Sequence, residues 1–538
     1  MGLQTIEKPP VPALRREVGP LGLLCVSLGT IIGSAWLFAA AATTSLTGPA
    51  SLVSWVLAGM VVSVLGLQLA ELGAAYPLSG GLARFPQLAL GPIAGFATGW
   101  ILWLALTVGV PFEAQVALFY LGNEVDGLVS VSDGTPVLTG AGIVAAIALL
   151  AVFFGINALG VRRFAATNTA LVWLKVAVPV LITVAIIAAA FHPSNFTSGE
   201  FAPAGVRGIV AALPAGVILS FLGFEQAIQL AGEARNPGRD LPRAVLGAIG
   251  LAMLLYMALQ VAFIGAIGAT TVQANAYGPF AALAVGLGLG WLAVIVYGAA
   301  FASPAGCGLV VSASSARAGY ALSQNGYLPP LFERLDGRGL PRAAMVLSFL
   351  VGVLVLLPFP GWQQLVALIS AGAALYFAFI PVCFAALRRS DPHRVRPYRA
   401  GGGQVLAPAG FVAASLIFYW AGWKADRTVL LALLAGVPLL LLSGRMRAAA
   451  DRPRLTREAW RAAAWLPPFY LGMAVFSYLG EFGGRGVIPF WWDAALITVF
   501  ALVVFRFAVL CALPADQVAA NLRKARLPAT TPVAPPPR

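Results

Sequence analysis

The chain is written in long apolar runs separated by short polar clusters rich in arginine, glycine and proline. A helix needs roughly 20 apolar residues to cross the hydrocarbon core of a bilayer. By that length the pattern predicts fourteen spans, at 19–45, 50–76, 91–121, 139–160, 164–190, 206–233, 244–268, 283–318, 343–358, 362–387, 404–423, 428–444, 464–480 and 488–513. The ninth and thirteenth runs are short. A helical period is faint inside the runs, because a span enclosed by lipid and protein is apolar all round. The pattern predicts an all-α polytopic membrane protein.

Composition narrows what such a chain does. Of 538 residues, 60% are apolar and 10% charged, against about 25% charged in a soluble domain. That is too little polar surface for a soluble enzyme and too much apolar surface for a disordered chain. The net charge of +14 reads as topology, and no nucleic-acid partner is expected. With the N-terminus placed in the cytoplasm, 28 of the 34 Lys and Arg fall on cytoplasmic segments. The outer segments hold Arg207, Lys424, Arg427 and Arg485, while Lys175 and Arg506 lie within spans. This asymmetry predicts an even number of spans in the cytoplasmic (inner) membrane, with both termini cytoplasmic. Arg506, near the inner end of the last span, snorkels to the headgroups. Cys25, Cys307, Cys383 and Cys511 lie in apolar runs without a CxxC pair, so neither a disulfide nor a cysteine metal site is expected. The basic stretch before residue 20 leads into a long apolar run with no clear cleavage site, which reads as a retained first span.

Two spans carry an interruption. The first reads Gly29-Thr30-Ile31-Ile32-Gly33-Ser34, and the sixth reads Ser220-Phe221-Leu222-Gly223-Phe224-Glu225 with Pro214 upstream. A glycine pair in a membrane helix is commonly a packing feature. Two breaks at matching positions in two halves, each beside a polar residue, point instead to a transporter binding site. An unwound turn frees amides and carbonyls where no water can satisfy them. The N-terminus of a half-helix favours an anion, and freed carbonyls favour a cation. An α-amino acid carries both groups on one carbon.

At these residues the chain resembles the amino acid–polyamine–organocation superfamily of secondary transporters. The resembling motifs are GTIIGSAW (29–36), AELGAAYPLSGG (70–81), FLGFEQAIQLAGEARNPGRDLPRA (221–244) and RAGYALSQNGYLP (317–329). PFEAQ (111–115) and SYLGEFGGRGVIPFWWD (477–493) further resemble a subgroup labelled aspartate–proton symporters. The resemblance implies a five-plus-five inverted repeat with broken helices 1 and 6 and substrate held between them. Residues 1–18 are then a cytoplasmic N-terminus, 19–200 the first repeat (spans 1–5), and 201–390 the second (spans 6–10). Spans 11 and 12 occupy 400–445, a cytoplasmic linker 446–463, spans 13 and 14 464–513, and a Pro-rich cytoplasmic tail 514–538.

The candidate substrate residues are Thr30, Ile31, Ile32, Gly33 and Ser34 of the first break, Ser220, Phe221 and Gly223 of the sixth, and Glu113 of the third span. An uncompensated charge in the bilayer costs at least ~2.5–3.5 kcal/mol, which makes Lys175 a functional candidate: its span contains no acidic residue. A Lys pointing into a hydrated cavity, always charged, is the alternative. The resemblance implies that Lys175 stands where relatives bind sodium and acts as a proton-responsive group. Its expected neighbours are carbonyls near Gly29 and the Ser303 hydroxyl. Glu113 is read as a proton holder, an ammonium ligand, a partner of Lys175 or a protonated structural carboxyl. Glu225 is expected to tie the unwound segment to neighbouring helices, with direct substrate contact as the alternative. Glu71 and Glu233 are read as gating or structural, with Arg235, Arg239 and Arg243 as candidate partners. Many relatives place an aromatic lid before the sixth break; here Leu219 and Ser220 occupy that region, and Phe221 is the candidate lid. The first ten spans contain no mid-membrane Arg, so a small neutral amino acid fits at least as well as an acidic one.

The resulting expectation is proton-coupled symport of an α-amino acid, with a proton as coupling ion and no cofactor. The expected partners are the amino acid and membrane lipid, with no obligate protein partner inferred. An exchanger of the same fold is the alternative. A membrane-embedded transferase is a more distant one, since DxD, HExxH, GxSxG and GxxxxGK[ST] are all missing from the sequence. His192 and His393 fall on opposite sides, so no shared metal is expected.

Overall fold

The structure is a computed structural model that describes residues 18–78, 80–122, 124–132, 135–159, 161–266, 278–357, 362–446 and 455–525. Among these, eleven helices are long and apolar enough to cross a membrane, and three shorter apolar helices accompany them. The first span is two pieces, α1 (Pro20–Ile31) and α2 (Trp36–Thr47). A turn at Gly48 (φ 58°) and Pro49 leads into α3 (Ser51–Ala75), the second span. A short amphipathic helix, α4 (Gly81–Leu90), precedes the third span, α5 (Pro92–Leu121). Strands β1 (Val129–Ser132) and β2 (Thr135–Leu138) then pair as an antiparallel hairpin, a small departure from the all-α expectation. Spans four and five are α6 (Gly140–Ala158), capped by the Thr139 hydroxyl, and α7 (Val161–Ala190).

The sixth span is the most fragmented. It comprises α8 (Gly205–Ala211), a π-turn at Leu213–Val217, α9 (Ile218–Phe221) and, after a break, α10 (Gln226–Gln229). Pro214 removes a backbone donor there, and Ser370 Oγ donates to the Pro214 carbonyl at 2.9 Å. The later spans are α11 (Pro237–Ala266), α13 (Gly290–Gln324), α14 (Arg342–Leu356), α15 (Trp362–Ser390), α16 (Gly403–Trp420) and α17 (Trp423–Met446), with the short helix α12 (Pro279–Gly286) between α11 and α13. The thirteenth begins with α18 (Arg457–Ala462), capped by Thr456, and continues as α19 (Leu466–Leu479). The last is α20 (Phe490–Cys511), followed by α21 (Ala515–Lys524). Grouped this way, the described helices fall into fourteen segments that match the fourteen apolar runs.

Within the linker expected at 446–463, residues 457–462 are helical, and 447–454 lie outside the described residues. The tail begins with a helix: Val518 and Leu522 of α21 are buried one turn apart, and Asn521 donates to the Leu88 carbonyl of α4 at 3.3 Å. The rest of the tail, from 526, lies outside the described residues.

Helices α5 and α15 lie buried on nearly all sides, α5 against α13 and α15 against α16 and α5, while α6 and α20 present broad apolar faces outward. Between spans, close packing replaces the hydrophobic effect, since lipid is as apolar as leucine. Gly66 and Gly73 of α3 illustrate it: an added Cβ would run into Ile249 and Ile228 respectively.

At the arginine-rich end, Glu71 accepts Arg388 Nε at 2.8 Å, pairs with Arg396 at 3.3 Å and accepts the Ala400 amide at 2.7 Å. Its partners are thus at the end of α15 and in the segment that follows it, and not Arg235, Arg239 or Arg243 as expected. Glu233 ends a 3₁₀ turn (Ala231–Glu233), and its carbonyl accepts the Val18 amide at 3.0 Å. The Arg235 amide returns a bond to Val18, so the segment before α1 is tied to the C-terminal end of the sixth span.

Candidate functional site

The first span stops being helical at Ile32 (φ −82°, ψ 67°). Five consecutive carbonyls at this break are each answered by a side chain from another span. Gly29 O accepts Lys175 Nζ of α7 at 2.9 Å, and Ile31 O accepts the Tyr256 hydroxyl of α11 at 2.8 Å. Ile32 O and Gly33 O accept Ser303 Oγ of α13 at 3.1 and 2.7 Å. Thr30 O faces Cys307 Sγ, a weak donor at 3.6 Å, one turn further along α13. Lys175 is 4% exposed. No carboxylate lies within ion-pair distance of Nζ among the described residues, so Glu113 is not its salt-bridge partner.

The sixth-span break holds itself differently. Leu222 turns extended and Gly223 adopts φ 114°, a conformation that favours glycine. The Gly223 amide donates to Glu225 Oε2 at 2.9 Å, so Glu225 ties the turn to itself, not to neighbouring helices as expected. Ser27 of α1 donates to Phe224 O at 3.0 Å and accepts the Ala227 amide at 3.1 Å. An added Cβ at Gly223 would lie 2.7 Å from Thr30 Cβ and 2.8 Å from the Ile31 nitrogen. The two breaks therefore touch backbone to backbone.

Beside this contact lies a small cavity of about 80 Å³. Of the nine substrate candidates, Thr30, Ile31, Gly33, Ser34, Gly223 and Glu113 line it. Ile32, Ser220 and Phe221 do not. Ser220 bonds back to the Gly216 carbonyl at 2.8 Å, and Phe221 packs edge-on between Trp55 and Tyr256, both at 5.9 Å. Phe221 is not placed as a lid; Leu219 and Leu222 occupy the cavity wall instead. Lys175, Gly29 and Ser303 sit one layer behind the wall, while Glu225 is on it. Glu71 and Glu233 lie away from it.

Sequence reasoning missed Tyr256, Cys307, Gln226 and Tyr376. Cys307 was the most accessible of these, four residues after Ser303 on one helix face. Tyr376 and Tyr256 stand in uninterrupted apolar runs that carry no mark.

The wall is chemically lopsided. Among the described residues it carries the carboxyls of Glu113 and Glu225, but no Lys, Arg or His. Ser34 Oγ and Glu113 Oε2, neighbouring groups in the wall, are buried without a well-formed hydrogen bond among the described residues. Ser34 and Ala35 lead into α2, so their amides stand at the positive end of a helix dipole. The break thus offers a small solute helix-terminal amides, a hydroxyl and a carboxyl within one chamber, with the Ser34 groups facing the Glu113 carboxyl.

Comparison with known proteins agrees in kind. A family model described as amino acid permease matches residues 18–433. The glutamate/serine transporter AimA of Bacillus subtilis is 36% identical over 92% of this chain and 94% of its own length. The aspartate-proton symporter of the same organism is 34% identical, covering 93% of this chain and 97% of its own. The branched-chain amino acid permease BcaP, also from Bacillus subtilis, is 26% identical over 80% of this chain.

Proposed function

Because this chain belongs to the amino acid permease family, we propose that it is a proton-coupled symporter that carries an α-amino acid across the cytoplasmic membrane by alternating access. The carrying observation is Lys175: a buried ammonium donating to Gly29 O, with no carboxylate within ion-pair distance among the described residues. Protonated, it holds the end of α1 in place. Deprotonated, it loses the charge that makes this bond strong, and α1 is freer to move. Proton binding is thereby linked to the position of the broken helix.

The substrate carboxylate sits at the amides of Ser34 and Ala35 and the Ser34 hydroxyl. Its ammonium faces Glu113 and the carbonyl end of α9. The first-break carbonyls already have side-chain donors, so they position the site and do not coordinate the guest. Glutamate, serine and aspartate appear in the names of the two closer relatives reported above. A wall with two carboxyls and no cation favours the neutral kind, a small α-amino acid such as serine, because an anionic side chain finds nothing to pair with.

The test uses the purified protein in liposomes with an inward acid gradient and no membrane potential. Labelled serine is expected to accumulate above equilibrium, and unlabelled aspartate to compete poorly. Uptake that appears only against preloaded internal amino acid would replace symport with exchange.

A further inference from the structure

A second cavity of about 430 Å³, sharing no lining residue with the first, opens between the end of α6 and the start of α14. Its walls are apolar: Ala151, Phe154, Met345, Val346 and Phe349. Its mouth carries two guanidiniums, Arg338 and Arg342. The rims face outward, with Val152 and Ile156 on α6 and Val346, Leu350 and Leu354 on α14 all exposed. In a spanning helix, such a face meets lipid tails.

The loop that presents the arginines is built. Asp336 Oδ1 accepts the amides of Arg338 and Leu340, both at 2.9 Å, and Oδ2 accepts Arg342 Nε at 2.7 Å. The Leu340 amide, with the Arg338 amide and the Arg342 guanidinium, holds the Asp336 carboxyl below the usual carboxylate range. Arg338 Nη1 reaches the Ala158 carbonyl at the end of α6 at 3.5 Å. Both cations are thus aimed at the level where helices end and headgroups begin.

We infer that this crevice is a binding site for one anionic phospholipid, its phosphate between Arg338 and Arg342 and an acyl chain along Phe154, Met345 and Phe349. Charge selects the headgroup, because a guanidinium grips phosphate oxygens in fork geometry. The apolar floor selects an amphiphile over a free phosphate, since an inorganic ion gains nothing from buried hydrocarbon. Glycerol-linked headgroups of net negative charge are preferred over choline headgroups of the same chain length, whose own cation cancels the attraction. The lipid would wedge α6 against α14, which packs beside α5 near Pro111 and Thr107.

The experiment is a lipid titration of the full-length detergent-purified protein read by native mass spectrometry, with phosphatidylglycerol and phosphatidylcholine of identical chains. The first phosphatidylglycerol is expected to bind the wild type on the order of thirtyfold tighter than the Arg338→Gln/Arg342→Gln variant, from two lost surface charge contacts. Phosphatidylcholine binding is expected to be equal in the two proteins, and inorganic phosphate to leave the bound lipid in place. An Ala151→Trp variant, which fills the floor and keeps both arginines, is expected to lose the same lipid. A double-Gln variant that keeps its preference for phosphatidylglycerol overturns the assignment. So does displacement by phosphate alone, or an arginine-dependent dimer that forms without lipid.

Discussion

The two broken spans look alike in sequence, a glycine-marked turn in each, yet they are held by different means. At the first break, donors arrive from α7, α11 and α13. At the sixth, the turn is closed by its own Glu225 and by Ser27 from its sister helix. A break answered by three other spans changes whenever any of them moves or changes charge. A break that closes on itself is a preformed wall. The comparison teaches that the first break is where coupling enters, and that the sixth shapes the chamber.

The largest effect should come from the point where the two breaks meet. Gly223→Ala forces a side chain into Thr30 and the Ile31 backbone at a φ of 114°. That strain costs ~1–3 kcal/mol before the clash is counted, so uptake is expected to vanish and thermal stability to drop, measured by transport and melting in parallel. Normal uptake would show that the breaks do not need to touch.

Next is Ser303→Ala, which leaves the Ile32 and Gly33 carbonyls without their hydroxyl donor. An unmet buried carbonyl costs ~1–3 kcal/mol. Substrate affinity from a binding titration should weaken roughly tenfold by that figure. Gly33→Ala follows with a smaller loss, severalfold in affinity. Its added Cβ meets the movable ends of Glu113 and Cys307, at 2.9 and 3.0 Å, and not backbone.

The smallest change is expected from Ser27→Ala at the sixth break. It removes one hydroxyl from a turn that retains its own carboxylate, for ~1 kcal/mol of stability with unaltered pH dependence of transport. If Ser27→Ala changes coupling as much as Ser303→Ala does, the contrast between the two breaks fails.

Much of this was legible in the sequence for reasons that can be named. Run length marked the spans, glycines marked the breaks, and Lys175 stood out because no acid shares its span. What the sequence hid were partners across spans. In an all-apolar helix every face looks the same, so Tyr256 and Tyr376 carried no sign of where they point. Glu71 was assigned to arginines after the sixth span because those are near its motif, whereas Arg388 reaches it across 317 positions. Phe221 was misjudged through register: the π-turn at Leu213–Val217 adds a residue and rotates all that follows, swinging Phe221 to Trp55 and Leu222 to the cavity. The helix α21 was obscured by the Pro-rich composition after it, although Val518 and Leu522 were spaced to show a buried stripe.

The central claim is that a proton on Lys175 governs the first break. Its most direct measurement compares wild type with Lys175→Ala in liposomes, scoring gradient-driven uptake and counterflow exchange side by side across pH. The account predicts that gradient-driven accumulation is lost, at least a hundredfold, while exchange persists and loses its pH dependence. A variant that still accumulates substrate on an acid gradient, with the wild-type pH profile, would contradict it.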